Sequence, residues 1–330
     1  MRAVQVREFG SFEKAEIAET PDPVAGPGQV LLEIHAAPLN FVDLLVIGGK
    51  YQFLPKLPFT PGKGPAGVVK ACGDGVTSLK VGDRVLAMAE YGGYAEMIAV
   101  DAGQCYRLPD SMSFADAGAA SLVYDTSWFA LRERARIQKG ETVLVLGATG
   151  GVGLASVQLA KAMGARVLAG ISSRAKEKLA MDAGADAVID LSTPDLRESL
   201  RAQVFAATGG AGADIILDML GGDVFDAAVR ALAWRGRLVV IGFAAGRIPS
   251  IKTNYILVKN IEITGLQVSD YRKRRPEQVA ECYREVFGFF ESGLLKPLPH
   301  QTMPLDEFRT GLKMIEERKT SGRLVLLPKG

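Results

Sequence analysis

The sequence predicts an α/β protein with two domains, one built on a doubly wound parallel sheet and one rich in β-strands. The glycine-rich segment LGATGGVG at 146–153 follows an apolar strand-like run and precedes an apolar helical stretch, which is typical of the first turn of a parallel sheet. From about residue 121 strand and helix patterns alternate, whereas the part before it holds short strand-like runs between Gly/Pro turns. A chain of 330 residues can also bury two cores.

The N-terminal part predicts a barrel-like β domain over residues 1–122. Its strand-like runs are RAVQVREF at 2–9, QVLLEIHAA at 29–37, AGVVKACG at 66–73 and DRVLAMA at 83–89. The C-terminal part has the pattern of a helix over 276–291 and a last strand over 322–327. We expect residues 267–330 to rejoin this first domain.

The intervening residues 123–266 predict six parallel strands separated mostly by helices. The strand-like segments are Thr142–Gly147, Arg166–Ile171, Ala187–Asp190, Asp214–Asp218, Arg237–Ile241 and Ile261–Leu266. Right-handed crossovers put the reversal of strand order after the first strand, and dinucleotides bind at such a switch point. The turn at Gly147–Gly153 is therefore the predicted dinucleotide site.

The glycines of this turn have separate expected roles. Gly147 lets the chain leave the strand tightly, and Gly153 lets the following helix pack close to the sheet. Gly150 or Gly151 lets the backbone approach a pyrophosphate, toward which the N–H groups at the helix start would point. A strand–turn–helix unit without a ligand is the alternative. The predicted binding residues of the turn are Gly147, Ala148, Thr149, Gly150, Gly151, Val152 and Gly153.

Composition excludes several classes of function. The 39 Lys+Arg and 37 Asp+Glu give a formal charge of +2, and these charges are scattered, so no nucleic-acid or membrane surface is expected. The three cysteines are far apart, which argues against a disulfide framework and a CxxC metal knot; they are Cys72, Cys105 and Cys282. No apolar run approaches a membrane span. We expect a soluble cytoplasmic protein without membrane insertion.

Five segments together resemble a known family: GPGQVLLEIHAAPLNFVD at 26–43, VGDRV at 81–85, GATGGVG at 147–153, LDMLGG at 217–222 and GRLVVIGF at 236–243. Over nearly its whole length the chain resembles the zinc-independent medium-chain dehydrogenases/reductases, close to the NADPH:quinone oxidoreductases of the zeta-crystallin type. The resemblance implies a GroES-like domain, a Rossmann domain and a homodimer. It also implies hydride transfer from NADPH to quinones or activated carbon–carbon double bonds.

No metal site is expected. Catalytic zinc needs about three protein ligands and an open position. Where zinc-dependent relatives carry a catalytic cysteine this chain has Asn40, and where they carry Gly-His-Glu it has Gly62, Lys63 and Gly64. His35 alternates out of the apolar face of a strand and His300 lies in a proline-flanked loop, so both are interpreted as structural.

The segment after the second predicted strand indicates the cofactor. NAD-preferring folds carry an acidic residue there, whereas this chain has Ser172, Ser173, Arg174 and Lys176. Hydroxyls and positive charges suit a 2′-phosphate, so NADPH is expected; a solvated helix start is the alternative.

The resemblance adds two further expectations about the cofactor and one departure from the family pattern. Where the family often has a tyrosine after the third strand, the chain has Asp190. Arg323 is expected to compensate, since the family's matching basic position lies close to the phosphate. The residues expected near the nicotinamide are Thr126, Ile241, Gly242, Phe243, Gly265 and Leu266.

The predicted acceptor site follows from the family's Asn-x-x-Asp…Gly-x-Tyr signature, present here as Asn40, Asp43, Gly49 and Tyr51. The resemblance places Asn40 and Tyr51 in the substrate pocket, where they would donate hydrogen bonds to a carbonyl. An arginine common in this signature is replaced by Ile47. From the residues alone, Tyr51 could equally be a packed aromatic side chain.

Lys63 lies in the glycine-flanked turn PGKGP at 61–65. Its ammonium could help to neutralise an enolate or hydroquinone anion, or it could pair with Asp125 or Asp43 as a structural charge. Both interpretations stay open.

The leading functional prediction is an NADPH-dependent, zinc-independent oxidoreductase acting on quinones or related α,β-unsaturated carbonyls. One alternative is a 2-enoyl reductase of coenzyme A thioesters, for which Arg272–Arg275 would contact phosphates. That cluster is otherwise a solvated lead-in to the next helix. Another alternative is an NADPH-binding protein with little turnover, used structurally or as a redox sensor.

Overall fold

The computed structural model describes residues 1–329, which form two compact units. The first comprises Met1–Leu122, Arg272–Tyr283 and the chain from Pro297 onward. The second comprises Val123–Tyr271 and Arg284–Lys296. Part of the C-terminal segment that we assigned to the first domain thus packs with the second unit, where the Trp128 indole donates to Glu285 at 2.6 Å.

The strands in chain order are β1 (Arg2–Gln5), β2 (Glu16–Glu19), β3 (Gln29–Leu39), β4 (Ala66–Cys72), β5 (Arg84–Ala87), β6 (Met97–Asp101), β7 (Cys105–Arg107), β8 (Thr142–Leu146), β9 (Arg166–Ile171), β10 (Ala187–Asp190), β11 (Ala213–Asp218), β12 (Leu232–Val240), β13 (Glu262–Gly265), β14 (His300–Pro304) and β15 (Arg323–Leu327). The α-helices are α1 (Phe41–Ile47), α2 (Phe114–Ala120), α3 (Val123–Trp128), α4 (Gly151–Ala162), α5 (Glu177–Asp182), α6 (Leu196–Ala207), α7 (Gly222–Ala228), α8 (Thr253–Lys259), α9 (Val268–Arg274), α10 (Pro276–Glu291) and α11 (Phe308–Glu316).

The first unit is built on a mostly antiparallel sheet in the order β14-β15-β3-β4-β5-β7, with β6 also paired to β3. The long strand β3 explains the predicted alternation, because Val30, Leu32 and Ile34 are fully buried between more exposed neighbours. β15 runs antiparallel to β3 with Leu324 opposite Leu39. This register brings the start of β15 beside the end of β3, where α1 begins.

The second unit holds one parallel six-stranded sheet in the order β10-β9-β8-β11-β12-β13. This order reverses next to β8, as the alternating strand and helix patterns predicted, so the fold class is confirmed. The apolar residues of β8 are fully buried at Val143, Leu144, Val145 and Leu146. Because all six strands are parallel, their carboxyl ends meet at one edge of the sheet. No helix within residues 1–329 is long and apolar enough to cross a membrane.

Candidate functional site

The glycine-rich turn joins β8 to α4 at the carboxyl edge of the parallel sheet. Gly147 has a φ of +78°, a conformation that favours glycine. A Cβ added at Gly153 would lie 2.2 Å from the Gly147 carbonyl oxygen. The first turn of α4 can therefore pack this closely against the preceding loop only if residue 153 is glycine. A Cβ at Gly150 would meet only that same oxygen, at 3.5 Å. The turn therefore leaves open space at Gly150, in front of the helix start, as an approaching phosphate requires.

Three other segments end at this same edge. Ser172 and Ser173 follow β9, which pairs with β8. The Ile241 and Gly242 N–H groups donate to the Asp218 carbonyl at 2.8 and 3.3 Å, which ties the segment after β12 to the end of β11. The Leu266 N–H donates to Val240 O at 3.0 Å after β13. These residues, which were predicted to bind the cofactor, thus lie at the ends of adjacent strands. Phe243 and Gly265 were predicted for the cofactor too, and they lie in the same segments.

Thr126 joins this group through helix packing. α3 carries Thr126, which is 8% exposed, and contacts the start of α4. The Ser127 hydroxyl donates to Val152 O at 3.1 Å, and the Ser156 hydroxyl donates to Ser127 Oγ at 2.9 Å. These small polar side chains let the two helices approach closely.

Arg174 has acidic partners that modify the predicted phosphate site. Its guanidinium donates to Glu177 at 3.0 Å and to Asp190 at 3.4 Å. Asp190, at the end of β10, is held by the Ser192 N–H and hydroxyl. The Arg174 side chain remains 59% exposed. A phosphate at this position would compete with the two carboxylates for the same donors.

A buried hydrogen-bonded cluster in the first unit contains Asn40, Asp43, Tyr94 and Arg323. Asn40 caps α1, and its N–H donates to Asp43 Oδ2 at 2.9 Å, while the Tyr94 hydroxyl donates to the same oxygen at 2.7 Å. The Arg323 guanidinium donates to Asn40 Oδ1 at 2.7 Å and to Ala119 O at 3.1 Å. Each of the four side chains is at most 8% exposed.

The cluster changes the interpretation of two predicted residues. The Asn40 amide is engaged at both ends, since its NH2 also contacts Pro38 O and Asp43 at 3.3 Å. Arg323 was expected near a nucleotide phosphate, but its guanidinium binds Asn40 and the end of α2. Both side chains thus contact protein groups in the structure, and their expected roles toward a ligand stay predictions.

Burial dominates the electrostatics of this cluster. Desolvation raises the pKa of the Asp43 carboxyl, against the opposing hydrogen bond from Tyr94 and the charge of Lys63. Desolvation together with the Asp43 charge raises the pKa of the Tyr94 hydroxyl well above its ordinary value. The pKa of Arg323 falls to about 10, again mainly because of burial.

Lys63 lies beside this cluster with a partner that the sequence did not indicate. Its ammonium contacts Glu90 Oε2 at 2.5 Å, and Glu90 Oε1 accepts from Arg272 at 2.8 Å. The Lys63 ammonium also lies 5.4 Å from the centre of the Tyr51 ring. The charges of Lys63 and Arg272 hold the pKa of the half-buried Glu90 carboxyl at about 2, despite desolvation.

The basic run Arg272–Arg275 is divided between different environments. Arg272 is 7% exposed and bound to Glu90. The Lys273 ammonium lies 4.4 Å from the centre of the exposed Phe53 ring. Arg275 faces Glu277 at 4.0 Å. The four residues are therefore not all solvated side chains ahead of the next helix, because the first of them, Arg272, is buried against Glu90.

A cavity of about 930 Å³ opens in the first unit next to the Lys63–Glu90 pair. Its walls combine apolar and charged side chains, among them Phe53, Phe59, Lys63, Glu90, Ile98 and Lys273. Tyr51, half-buried, directly precedes the lining residues Gln52 and Phe53.

No group of three His, Cys, Asp or Glu side chains that could hold a metal ion occurs within residues 1–329. His35 Nε2 lies 3.1 Å from Glu33 and its ring packs on Phe114. His300 Nδ1 lies 3.0 Å from Leu298 O.

Sequence reasoning missed Tyr94, Glu90 and the burial of Arg272. Tyr94 follows Gly92 and Gly93 in AEYGGYAE, which reads as a turn and carries no sign of a distant carboxylate. Tyr94 contacts Asp43, 51 residues away in the chain, and Arg272 contacts Glu90, 182 residues away. Such contacts are visible only in the folded structure.

Comparison with known proteins agrees with this architecture. The family model "Zinc-binding dehydrogenase" matches residues 151–285, and the model "Alcohol dehydrogenase GroES-like domain" matches residues 26–110. A quinone oxidoreductase-like protein 2 homolog from Nematostella vectensis is 37% identical over 328 residues, covering 98% of this chain and 88% of the relative.

Two solved structures were described as complexes with NADPH. A mycobacterial protein is 32% identical with a TM-score of 0.90, covering 99% of this chain and 100% of that chain. The Escherichia coli quinone oxidoreductase is 28% identical with a TM-score of 0.90 and the same coverage.

Proposed function

The chain belongs to the medium-chain dehydrogenase/reductase family, in its quinone oxidoreductase group, and on that basis we propose that it reduces quinones or related α,β-unsaturated carbonyls with NADPH. The observation that carries the proposal is the open glycine turn at the carboxyl edge of the parallel sheet, with a Gly150 position that a backbone-approaching phosphate could use. When bound, NADPH supplies the hydride.

The residues of the second unit fit such a dinucleotide. The Gly147–Gly153 turn would hold the pyrophosphate, because the start of the helix provides N–H donors and a dipole whose positive end attracts the anion. Ser172, Ser173, Arg174 and Lys176 would hold the 2′-phosphate, with Arg174 exchanging its carboxylate partners for the phosphate. The segments Ile241–Phe243 and Gly265–Leu266, with Thr126, would surround the nicotinamide.

In the first unit, we assign the polar contact with the acceptor to Tyr51. Its hydroxyl would donate to the carbonyl oxygen, where negative charge develops as hydride arrives. The nearby ammonium of Lys63 would stabilise the same charge, and its position 5.4 Å from the Tyr51 ring supports this role. Asn40, Asp43 and Arg323 would keep the end of β3 and the start of α1 rigid beneath the site.

The thioester alternative receives less support. It relied on Arg272–Arg275 as a phosphate contact, yet Arg272 is buried against Glu90. A low-turnover NADPH-binding protein would have no use for the buried cation beside Tyr51. We therefore keep quinones and enones as the proposed substrate class.

We further propose that turnover needs no metal, since the residues at the family's zinc positions are Asn40 and Lys63 and both are engaged in other contacts. Overnight treatment with EDTA followed by desalting should leave turnover unchanged. Loss of activity that added Zn²⁺ restores would contradict this.

The second unit also supports a homodimer. β13 lies at an edge of the parallel sheet, and the nearby α8 exposes Leu257 and Val258 at 78% and 74%. An exposed edge strand beside apolar side chains is a usual docking surface. Light scattering after size exclusion should give a dimer, and Leu257→Asp with Val258→Asp should give a monomer. Val24→Asp, at a position 84% exposed in the first unit, is the matched control.

The decisive experiment follows NADPH oxidation at 340 nm with 1,4-naphthoquinone, 2-cyclohexenone and crotonyl coenzyme A. The proposal expects turnover with the first two. Turnover with crotonyl coenzyme A alone would establish the thioester alternative, and binding of NADPH without turnover would establish the binding-protein alternative.

A further inference from the structure

We propose that Glu90 is a positioning residue of this enzyme: its carboxylate bridges Lys63 and Arg272 and thereby holds the Lys63 ammonium beside Tyr51. The inference rests on the proposed role of Lys63 and Tyr51 at the acceptor carbonyl, and it adds two residues outside the predicted site.

Backbone pairing brings Glu90 to Lys63. The turn at 61–65 runs along the segment 89–94, with Gly64 N–H donating to Ala89 O at 3.1 Å and Gly93 N–H donating to Gly62 O at 2.9 Å. The turn approaches this segment so closely that a Cβ at Gly62 would lie 2.3 Å from the Tyr94 ring. The two side chains are thus anchored on adjacent backbones.

Each carboxylate oxygen of Glu90 serves a different cation. Oε2 contacts the Lys63 ammonium at 2.5 Å and Oε1 contacts the Arg272 guanidinium at 2.8 Å. The Lys63 and Arg272 side chains are 5% and 3% exposed, whereas that of Glu90 is 23% exposed. A carboxylate that bridges two buried cations on different segments restricts both, and Lys63 cannot swing toward solvent without breaking a charge-assisted hydrogen bond.

The bridge matters for chemistry because a cation stabilises developing charge best when it is held in place before reaction. Lys63 is a long side chain with four rotatable bonds, and on its own it would sample many rotamers. The contact with Glu90 removes that freedom by holding the ammonium at one position. Both Lys63 and Glu90 line the cavity of about 930 Å³, so the positioned cation faces a space that can receive a ligand.

The test compares Lys63→Met, Glu90→Gln, Lys63→Met/Glu90→Gln and Glu90→Gln/Arg272→Gln. For each we would measure kcat and KM with 2-cyclohexenone and 1,4-naphthoquinone, the Kd for NADPH by calorimetry, and the melting temperature. If Glu90 acts through Lys63, Glu90→Gln lowers kcat for the enone by roughly tenfold or more, with the Kd for NADPH unchanged. The double variant with Lys63→Met is then no slower than Lys63→Met alone.

Arg272→Gln separates positioning from charge balance. Glu90→Gln leaves two buried cations without their shared carboxylate, so it should also lower the melting temperature. Removing the Arg272 charge in the same chain should restore most of that loss but not kcat, because Lys63 still lacks its anchor. Recovery of kcat along with stability would mean that Glu90 only balances charge, and would overturn the proposal.

Two other outcomes have distinct meanings. If Lys63→Met loses turnover while Glu90→Gln stays within twofold of the parent, or if their losses multiply in the double variant, Glu90 does not position Lys63. If Lys63→Met itself leaves turnover with both acceptors unchanged, the proposed role of Lys63 fails first and the inference about Glu90 fails with it.

Discussion

The glycine turn allows one prediction to be worked out from distances, because its two glycines differ in what a methyl group would meet. At Gly153 an added Cβ would lie 2.2 Å from Gly147 O, so the helix start must retreat by about 1.2 Å to reach the ordinary contact distance of 3.4 Å. At Gly150 the nearest atom is 3.5 Å away and the backbone has φ −80° and ψ 171°, which alanine adopts readily.

The two alanine variants should therefore separate stability from binding. Gly153→Ala overpacks a buried site, which costs about 1–3 kcal/mol of unfolding free energy, and it should weaken NADPH binding as well because the helix start moves. Gly150→Ala should leave stability unchanged or raise it by about 0.4–1 kcal/mol. Its methyl group would occupy the space proposed for the pyrophosphate. Loss of one charge-assisted contact of about 1.5–3 kcal/mol raises the Kd for NADPH roughly ten- to hundredfold.

The assay pairs urea unfolding of each variant without ligand with calorimetric titration of NADPH. Gly210→Ala would be a poor control because Gly210 has a φ of +92°, whereas Gly103, with nothing within 4 Å of its Cβ position, is a suitable one in the first unit. A Gly150→Ala protein that binds NADPH within twofold of the parent would refute the placement of the pyrophosphate. Full stability of Gly153→Ala would refute the steric reasoning.

The other predictions concern the acceptor, the phosphate and the buried carboxyl. Tyr51→Phe should lower turnover roughly ten- to thousandfold, less for quinones than for enones, with NADPH binding unchanged; losses within twofold for both acceptors in steady-state kinetics would point to packing alone. Arg174→Ala with Lys176→Ala should raise the KM for NADPH far more than for NADH, and Asp190→Asn should lower the KM for NADPH, because Asp190 competes with the phosphate for Arg174. Burial raises the pKa of the Asp43 carboxyl in the folded protein. As the pH rises, this carboxyl therefore loses its proton in the unfolded chain first, near the ordinary pKa of 3.8, and in the folded protein only at a higher pH. The melting temperature of the parent minus that of Asp43→Asn should then fall with rising pH until Asp43 ionises in the folded protein, and a difference that rises with pH would contradict the assignment.

The sequence predicted the parallel sheet and its turn because both depend on local patterns. Continuous apolar runs such as Thr142–Leu146 and the glycine spacing determine strands and turns over a few residues. Most predicted strand ends of the parallel sheet differ from the observed ones by at most one residue, as at Gly147, which the structure puts in the turn. The exception is β12, which begins at Leu232, five residues before the predicted Arg237. The capping interaction between Asn40 and Asp43 is also local, since the two residues are three positions apart.

The side-chain networks could not be predicted in the same way. The pairing of β15 with β3 brings Arg323 to Asn40, 283 residues away in the chain, a contact that the sequence did not indicate. Lys63 was given Asp43 or Asp125 as a possible partner, but Glu90 is anchored on the adjacent backbone. These partners follow from strand register and loop packing, which no local residue pattern contains.

The energetics of the Lys63–Glu90–Arg272 set favour a functional origin over a stabilising one. Taking two cations and a carboxylate out of water costs several kcal/mol for each ion, and their mutual attraction has to offset this cost. Apolar side chains of similar size would fill the same wall without that cost, and often with a gain in stability. What only the charged set can supply is a cation held at a defined place beside Tyr51, on the wall of a cavity. The Lys63–Glu90–Arg272 set thus keeps positive charge at the position where the proposed reaction needs it.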